Sequence, residues 1–132
     1  MSRERRRTKR FRADLPARFR IVPPSHPADA SPFQSAHVQD LSEGGVRILT
    51  DTVRVEGLHI LHPLVATSEQ CLLEIEIPHD DPPLTVRGKV VWYDRAGEDT
   101  PFSFQAGVQF VDLSPDRKQE IRNLLQRLKT EV

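Results

Sequence analysis

Three stretches decide the fold: CLLEIEI at residues 71–77, LTVRGKVVWY at residues 84–93 and FSFQAGVQFV at residues 102–111. In the first, Cys71, Leu73, Ile75 and Ile77 take alternate places. The second sets Leu84, Val86, Gly88, Val90 and Trp92 against Thr85, Arg87, Lys89, Val91 and Tyr93. In the third, Phe102, Phe104, Ala106, Val108 and Phe110 alternate with the rest. A strand turns successive side chains to opposite faces, so a period of two predicts sheets with one dry face. Trp92 falls on the dry side with Val86 and Val90, which favours a core position over a stacking platform.

Towards the N-terminus, Phe11, Leu15, Ala17, Phe19 and Ile21 predict a strand over 11–22, with Pro16 marking an edge or an irregular start. Residues 23–35 hold four prolines and little that can pack, so they read as a loop. Short strands at Ala36–Leu41 and Gly45–Thr50 flank a Ser42-Glu43-Gly44-Gly45 corner, expected to be a hairpin-like turn with positive φ available to the glycines. Val46 and Ile48 share a face, and Arg47 points off it towards solvent. Between 51 and 70, Gly57 and Pro63 interrupt every period, which predicts at most one short strand or helical turn. The chain closes with a helix over 114–129: Ser114 is an N-cap, Pro115 follows, and Asp116 meets the positive end of the dipole. Ile121, Leu124, Leu125 and Leu128 form one apolar stripe, and Arg127 and Lys129 sit in the last turn. The order is about six strands and then a helix. Connections this short predict antiparallel strands closing into a barrel or sandwich, with the helix over an open end or across the wall.

The 132 residues fit one domain, and no repeat or second domain is visible. One cysteine excludes an intramolecular disulfide framework and a cysteine zinc cluster, and suits a reducing cytosol. Apolar runs fall far short of the ~20 residues that span a bilayer, and no signal-like apolar run follows the charged start. The expected setting is cytoplasmic, without membrane insertion. The formal net charge is zero, but residues 1–20 carry nine basic groups against two acidic ones. That segment is +7 and the remainder −7, which points to an anionic partner for the arm, to docking of the arm on its own acidic body, or to a solvated tail. Residues 1–10 have no apolar residue after Met1 and read as a flexible basic arm, with the domain proper over 11–132.

Little in the sequence calls for catalysis. His59 and His62 have metal-ligand spacing, but Gly57 and Pro63 flank them and no third ligand lies nearby. His79-Asp80-Asp81 reads as a polar turn, and Cys71 as a small buried hydrophobe. Nucleophile elbow, zinc-protease and phosphate-loop motifs are absent. Neither an enzyme, a metal site nor a cofactor is expected.

Two elements make chemical sense together. Arg6-Arg7-Thr8-Lys9-Arg10 places Arg6 and Arg10 in an R-x-x-x-R spacing, and Arg3 with Arg7 repeats it in a shifted register. An arginine fork can grip a phosphate or the O6/N7 edge of guanine, and its flat face can stack on a purine. Asp40-x-Ser42-x-x-Gly45 stands where a strand turns. An ionised Asp40 could accept the N1–H and N2–H of guanine, Ser42 could bond a phosphate or base, and Gly45 permits close backbone approach. Asp40 and Ser42 could equally make only a side-chain-to-backbone turn.

R-x-x-x-R before the first strand with D-x-S-x-x-G about thirty residues on resembles the PilZ domain, the bacterial module that binds cyclic di-GMP. Glu4-Arg5-Arg6, Gly88-Lys89-Val90-Val91-Trp92 and Gly107-Val108-Gln109-Phe110 extend the resemblance over residues 3–130. It implies a six-stranded antiparallel β-barrel with a C-terminal helix. By the same resemblance Arg6 and Arg10 hold the ligand's phosphates and guanines, while Asp40, Ser42 and Gly45 line the other side. Arg5 occupies the position that influences whether one or two stacked ligand molecules bind, and an intercalated pair is the expectation. Arg7, Gly44 and Trp92 are secondary candidates. Between Thr50 and Cys71 the chain is longer than a compact family member, which could mark a loop used by a partner.

The leading expectation is therefore a non-catalytic cyclic di-GMP receptor whose arm folds over the ligand and whose changed surface signals to a protein partner. Motility, surface polysaccharide synthesis and gene regulation are all open as the output. A protein-interaction module that has kept the fold is the alternative. A nucleic-acid binder using the basic arm is the third reading, and is not favoured.

Overall fold

The computed structural model describes residues 10–65, 67–78 and 82–131. The basic segment 1–9 and the predicted turn at His79-Asp80-Asp81 lie outside the described residues. Six strands form a closed antiparallel barrel in the order β1 (Phe11–Val22), β2 (Gln34–Leu41), β3 (Gly45–Thr50), β8 (Phe104–Val111), β7 (Leu84–Arg95) and β6 (Leu72–Ile77), with β6 pairing back onto β1. This is the mainly β barrel with a C-terminal helix that the patterning and the resemblance predict. Closure leaves no open sheet edge in the barrel.

The barrel interior is the dry face of the alternation. Phe19, Ile21, Val38, Ile48, Leu73, Ile75 and Ile77 are fully buried there, each side chain of this kind contributing about 1.5–3 kcal/mol by leaving water. Helix α1 (Pro115–Glu131) starts as expected, with the Ser114 Oγ accepting the Arg117 N–H at 3.1 Å. Its stripe of Ile121, Leu124, Leu125 and Leu128 joins the same core, and Arg122 Nε bonds Glu43 Oε1 at 3.0 Å beside the β2–β3 turn. The helix thus closes the barrel end formed by the start of β1 and that turn.

Residues 51–70 differ from expectation. Among the described residues they contain two strands of two residues each, β4 (Arg54–Val55) and β5 (Leu58–His59), paired as a miniature hairpin around Gly57 at φ 84°. The period is unreadable in sequence because this segment packs by isolated plugs. Ile60 is fully buried in the barrel core, and Val53, Leu58, Leu61 and Leu64 are partly buried against that core. The segment leaves β3 at Thr50 and returns at Leu72, which faces Val22 at the far end of β1. It therefore covers the end opposite α1.

His59 clasps this cover. Its buried ring accepts the N–H groups of Leu61 and His62 at Nδ1, both at 3.0 Å. It lies against His62, with centroids 4.3 Å apart, and against Tyr93, at 5.4 Å. Burial holds the His59 pKa below its ordinary value, with help from His62 and from Arg54 across the hairpin. A proton at Nδ1 would convert an acceptor of two bonds into a donor. The unfolded chain takes up that proton more readily than the folded one. The neutral ring's contribution is thus complete above its ordinary value near 6.5 and is lost as pH falls from there through the lowered folded value. Urea titrations at about pH 7.5 and about pH 5 are expected to show a lower stability in acid. His59→Gln, which keeps an acceptor but cannot titrate, should reduce that difference.

Candidate functional site

The D-x-S-x-x-G element spans the end of β2 and the turn into β3. The β2–β3 register jumps between Val38 and Asp40, a bulge at Gln39. Strict alternation from Ala36 and Val38 would send Asp40 into the core. The extra residue instead delivers Leu41 to the core, fully buried, and turns Asp40 onto the outer wall opposite Arg47. There the Asp40 carboxylate is clasped from two sides. Arg10 Nη1 donates to Oδ1 at 2.7 Å, while Arg47 Nε and Nη2 donate to Oδ2 at 2.9 and 2.8 Å. The Asp40 side chain is 12% exposed, against 55% for Arg10 and 37% for Arg47. Charge-assisted bonds of this length fix the carboxylate and leave arginine donors facing solvent.

Ser42 is used by the turn. Its Oγ accepts the N–H of Gly44 and of Gly45, both at 3.2 Å, and its own N–H donates to the Gly45 carbonyl at 2.9 Å. With 3% exposure it presents little surface. Gly45 keeps a φ that other residues can adopt, so the expected positive-φ corner is not what the glycines provide. Gly45 is needed for proximity: a β-carbon there would come within 2.3 Å of the Val108 carbonyl oxygen on β8. Gly44 accepts the Phe110 N–H at 3.0 Å, tying the same turn to the end of β8.

Cross-strand pairing extends Asp40 into a row: Arg12 on β1, Asp40 on β2, Arg47 on β3, Gly107 on β8 and Trp92 on β7. Trp92 departs from the alternation that predicts a core position. The β7–β8 register shifts between Val90 and Trp92, so the alternation breaks at Val91, and the indole is 40% exposed on the outer wall. It lies across Gly107, whose missing β-carbon leaves the space that the indole Nε1 occupies, 2.1 Å from where that carbon would stand. The result is a flat aromatic surface beside a set of arginine donors and one fixed carboxylate. Such a surface suits a planar, anionic ligand with donors on one edge.

Of the sequence candidates, Arg10, Asp40 and the Ser42–Gly45 turn come together, with Trp92 at the far end of the row. Arg5, Arg6 and Arg7 lie outside the described residues. Arg47 is the residue that reading by faces passed over as solvated. The signal was available in the turn: Leu41 pairs with Val46, so the next pair outward joins Asp40 to Arg47. His59 and His62 do meet, but among the described residues no three His, Cys, Asp or Glu side chains converge as a metal-binding group. Cys71 is buried in the core, with burial and then Glu69 raising its pKa away from the thiolate. No described helix is long and apolar enough to cross a membrane.

A small closed β-barrel capped by a C-terminal helix, with a charged and aromatic row on its outer wall, defines the class. The PilZ domain model matches residues 4–127, and the chain belongs to that family. No curated protein matched. Among solved structures, the PilZ domain of YcgR from Escherichia coli with c-di-GMP superposes with a TM-score of 0.65 at 18% identity, covering 96% of this chain and 93% of that one. The complex of K. pneumonia MrkH with c-di-GMP gives 0.64 at 20% identity, covering 96% and 53%. The Bacillus subtilis inhibitor of motility MotI/DgrA gives 0.58 at 10% identity, covering 97% and 53%. The chain thus spans about half of the MrkH and MotI/DgrA structures.

Proposed function

We propose that this domain is a non-catalytic receptor for cyclic di-GMP. The observation that carries the reading is the Asp40 clasp: the acid of D-x-S-x-x-G is hydrogen-bonded to the last arginine of R-x-x-x-R, thirty residues away in sequence. One described residue from each of the two elements that the resemblance pairs for ligand binding therefore meets the other at the surface. Family membership, and the ligand carried by the YcgR and MrkH structures, support the same reading. Arg10 and Arg6 would supply donors to phosphate and guanine oxygens, with Arg5 and Arg7 close by in sequence. Asp40, steadied by Arg47, would accept guanine N–H groups, and the Trp92 indole would offer a stacking face. Ser42, Gly44 and Gly45 serve by holding the turn that carries Asp40. The signal would pass to a protein partner in the cytoplasm, in control of motility or exopolysaccharide synthesis.

Trp92 is the single tryptophan of the chain and lies in the row itself. Saturating cyclic di-GMP is expected to change its emission, and Trp92→Phe should abolish that signal while keeping a stacking ring. The salt dependence of the titration separates this reading from binding of a nucleic-acid polymer. A ligand with two phosphates should give a logarithmic slope of magnitude about 2 or less, whereas a polymer engaging six or more phosphates gives about 5 or more. An unchanged emission together with no binding would leave the protein-interaction module as the better reading.

A further inference from the structure

The outer wall carries a concave feature next to the Asp40 row, sharing only Arg12 with it. The connection between β7 and β8 rises over β2 and β3, closed at its base by Ala96 N–H to the Ser103 carbonyl at 2.9 Å and pinned by Ser103 N–H to Asp51 Oδ1 at 3.0 Å. Beneath it lies a cleft of about 350 Å³ whose lining includes Arg12, the cross-strand partner of Asp40. Leu49 lines it: an outward-facing strand residue that is nevertheless only 6% exposed. Phe102 forms one wall, stacked on His37 with centroids 6.0 Å apart and planes 29° from parallel. The polar groups divide in two. Arg12 donates to Asp14 at 2.9 Å and His37 lies 3.5 Å from the same carboxylate, so these three are committed to one another. Gln39 and Asp99 also line the cleft and, among the described residues, have no hydrogen-bond partner; Asp99 acts on Arg12 only through its charge.

A flat apolar wall with an uncommitted carboxylate and an uncommitted carboxamide has the complement of one base. Guanine presents O6 as an acceptor beside N1–H and N2–H as donors. A carboxylate can take both donors while an amide NH₂ serves O6. Adenine presents an acceptor at N1, which a carboxylate opposes. We propose that this cleft is a guanine subsite, with Phe102 as the stacking wall and Asp99 and Gln39 reading the base edge. The proposal rests on the cyclic di-GMP reading and extends it: the cleft and the Asp40 row share Arg12, so a ligand on the row would place a further base beside the cleft.

The test uses the full chain, cyclic di-GMP and the mixed cyclic dinucleotide that carries one guanine and one adenine. Asp99 is exposed on its loop, so Asp99→Asn should leave the fold intact. It is expected to weaken cyclic di-GMP binding about tenfold and to shrink the preference over the mixed dinucleotide by a similar factor. Phe102→Ala should weaken both ligands without changing their ratio. Wild-type binding of cyclic di-GMP with both variants indistinguishable from it would overturn the subsite and leave the receptor reading standing. If wild type binds neither dinucleotide, the receptor reading itself fails and the subsite with it.

Discussion

Arg10→Ala is expected to weaken binding of cyclic di-GMP by about five- to 150-fold, the equivalent of about 1–3 kcal/mol for losing one bidentate arginine contact. Arg10 stands at the edge of the described fold, more than half exposed, with its guanidinium on Asp40. Its removal therefore takes little from the barrel: an unfolding free energy within about 0.5 kcal/mol of wild type in urea titration is the matching expectation. The pairing of unchanged stability with lost affinity is the signature of a ligand contact. Arg10→Lys sharpens it, because a lysine keeps the charge and loses the planar fork. Recovery of only part of the affinity would show that geometry, as well as charge, is being used. If Arg10→Ala bound as tightly as wild type, Arg10 would have to be struck from the site.

Gly45→Val is expected to act in the opposite way, through the fold. A β-carbon at residue 45 would meet the Val108 carbonyl at 2.3 Å, and that oxygen belongs to backbone that cannot swing aside. Strands β3 and β8 are paired at that point, Gly45 with Gln109 and Val46 with Val108. Forcing them apart strains two adjacent ladders of a closed barrel. Overpacking costs about 1–3 kcal/mol or more, read as a lower urea midpoint. A stability equal to wild type would contradict the close approach. The contrast with Arg10 matters because both positions belong to motifs that the family resemblance treats as ligand-binding. On the proposed reading Arg10 would act by touching the ligand, whereas Gly45 allows the strand corner to exist.

The barrel was legible because its dry face is written in alternation: Leu73, Ile75 and Ile77, Val86 and Val90, and Ala106, Val108 and Phe110 all lie inside as expected. The helix was legible from Ser114, Pro115 and the stripe ending at Leu128. Trp92 was misplaced by the same rule that served so well elsewhere. One extra residue between Val90 and Trp92 reverses every later face, and a bulge leaves no periodic trace in sequence. The bulge at Gln39 reverses Asp40 and Leu41 in the same way. Loop 51–70 was opaque for another reason: Ile60 enters the core alone from irregular backbone, held by the His59 clasp, so no period exists to be found. At the site, Asp40 was readable as an acid at a strand corner, but its arginine neighbours depend on the β1–β2 pairing across a long loop and on the β2–β3 hairpin register. Ser42 was readable as both a ligand group and a turn group, and its hydroxyl is engaged with the backbone of Gly44 and Gly45.

On the proposed reading Asp40 and the arginines around it form the receiving surface for cyclic di-GMP. Calorimetric titration of the full chain with cyclic di-GMP in modest salt tests it most directly, yielding affinity and stoichiometry together. The expected result is saturable binding tighter than tens of micromolar, at one or two ligand molecules per chain, and a marked loss of affinity in Asp40→Ala. No heat at tens of micromolar ligand, or equal binding by wild type and Asp40→Ala, would contradict the claim.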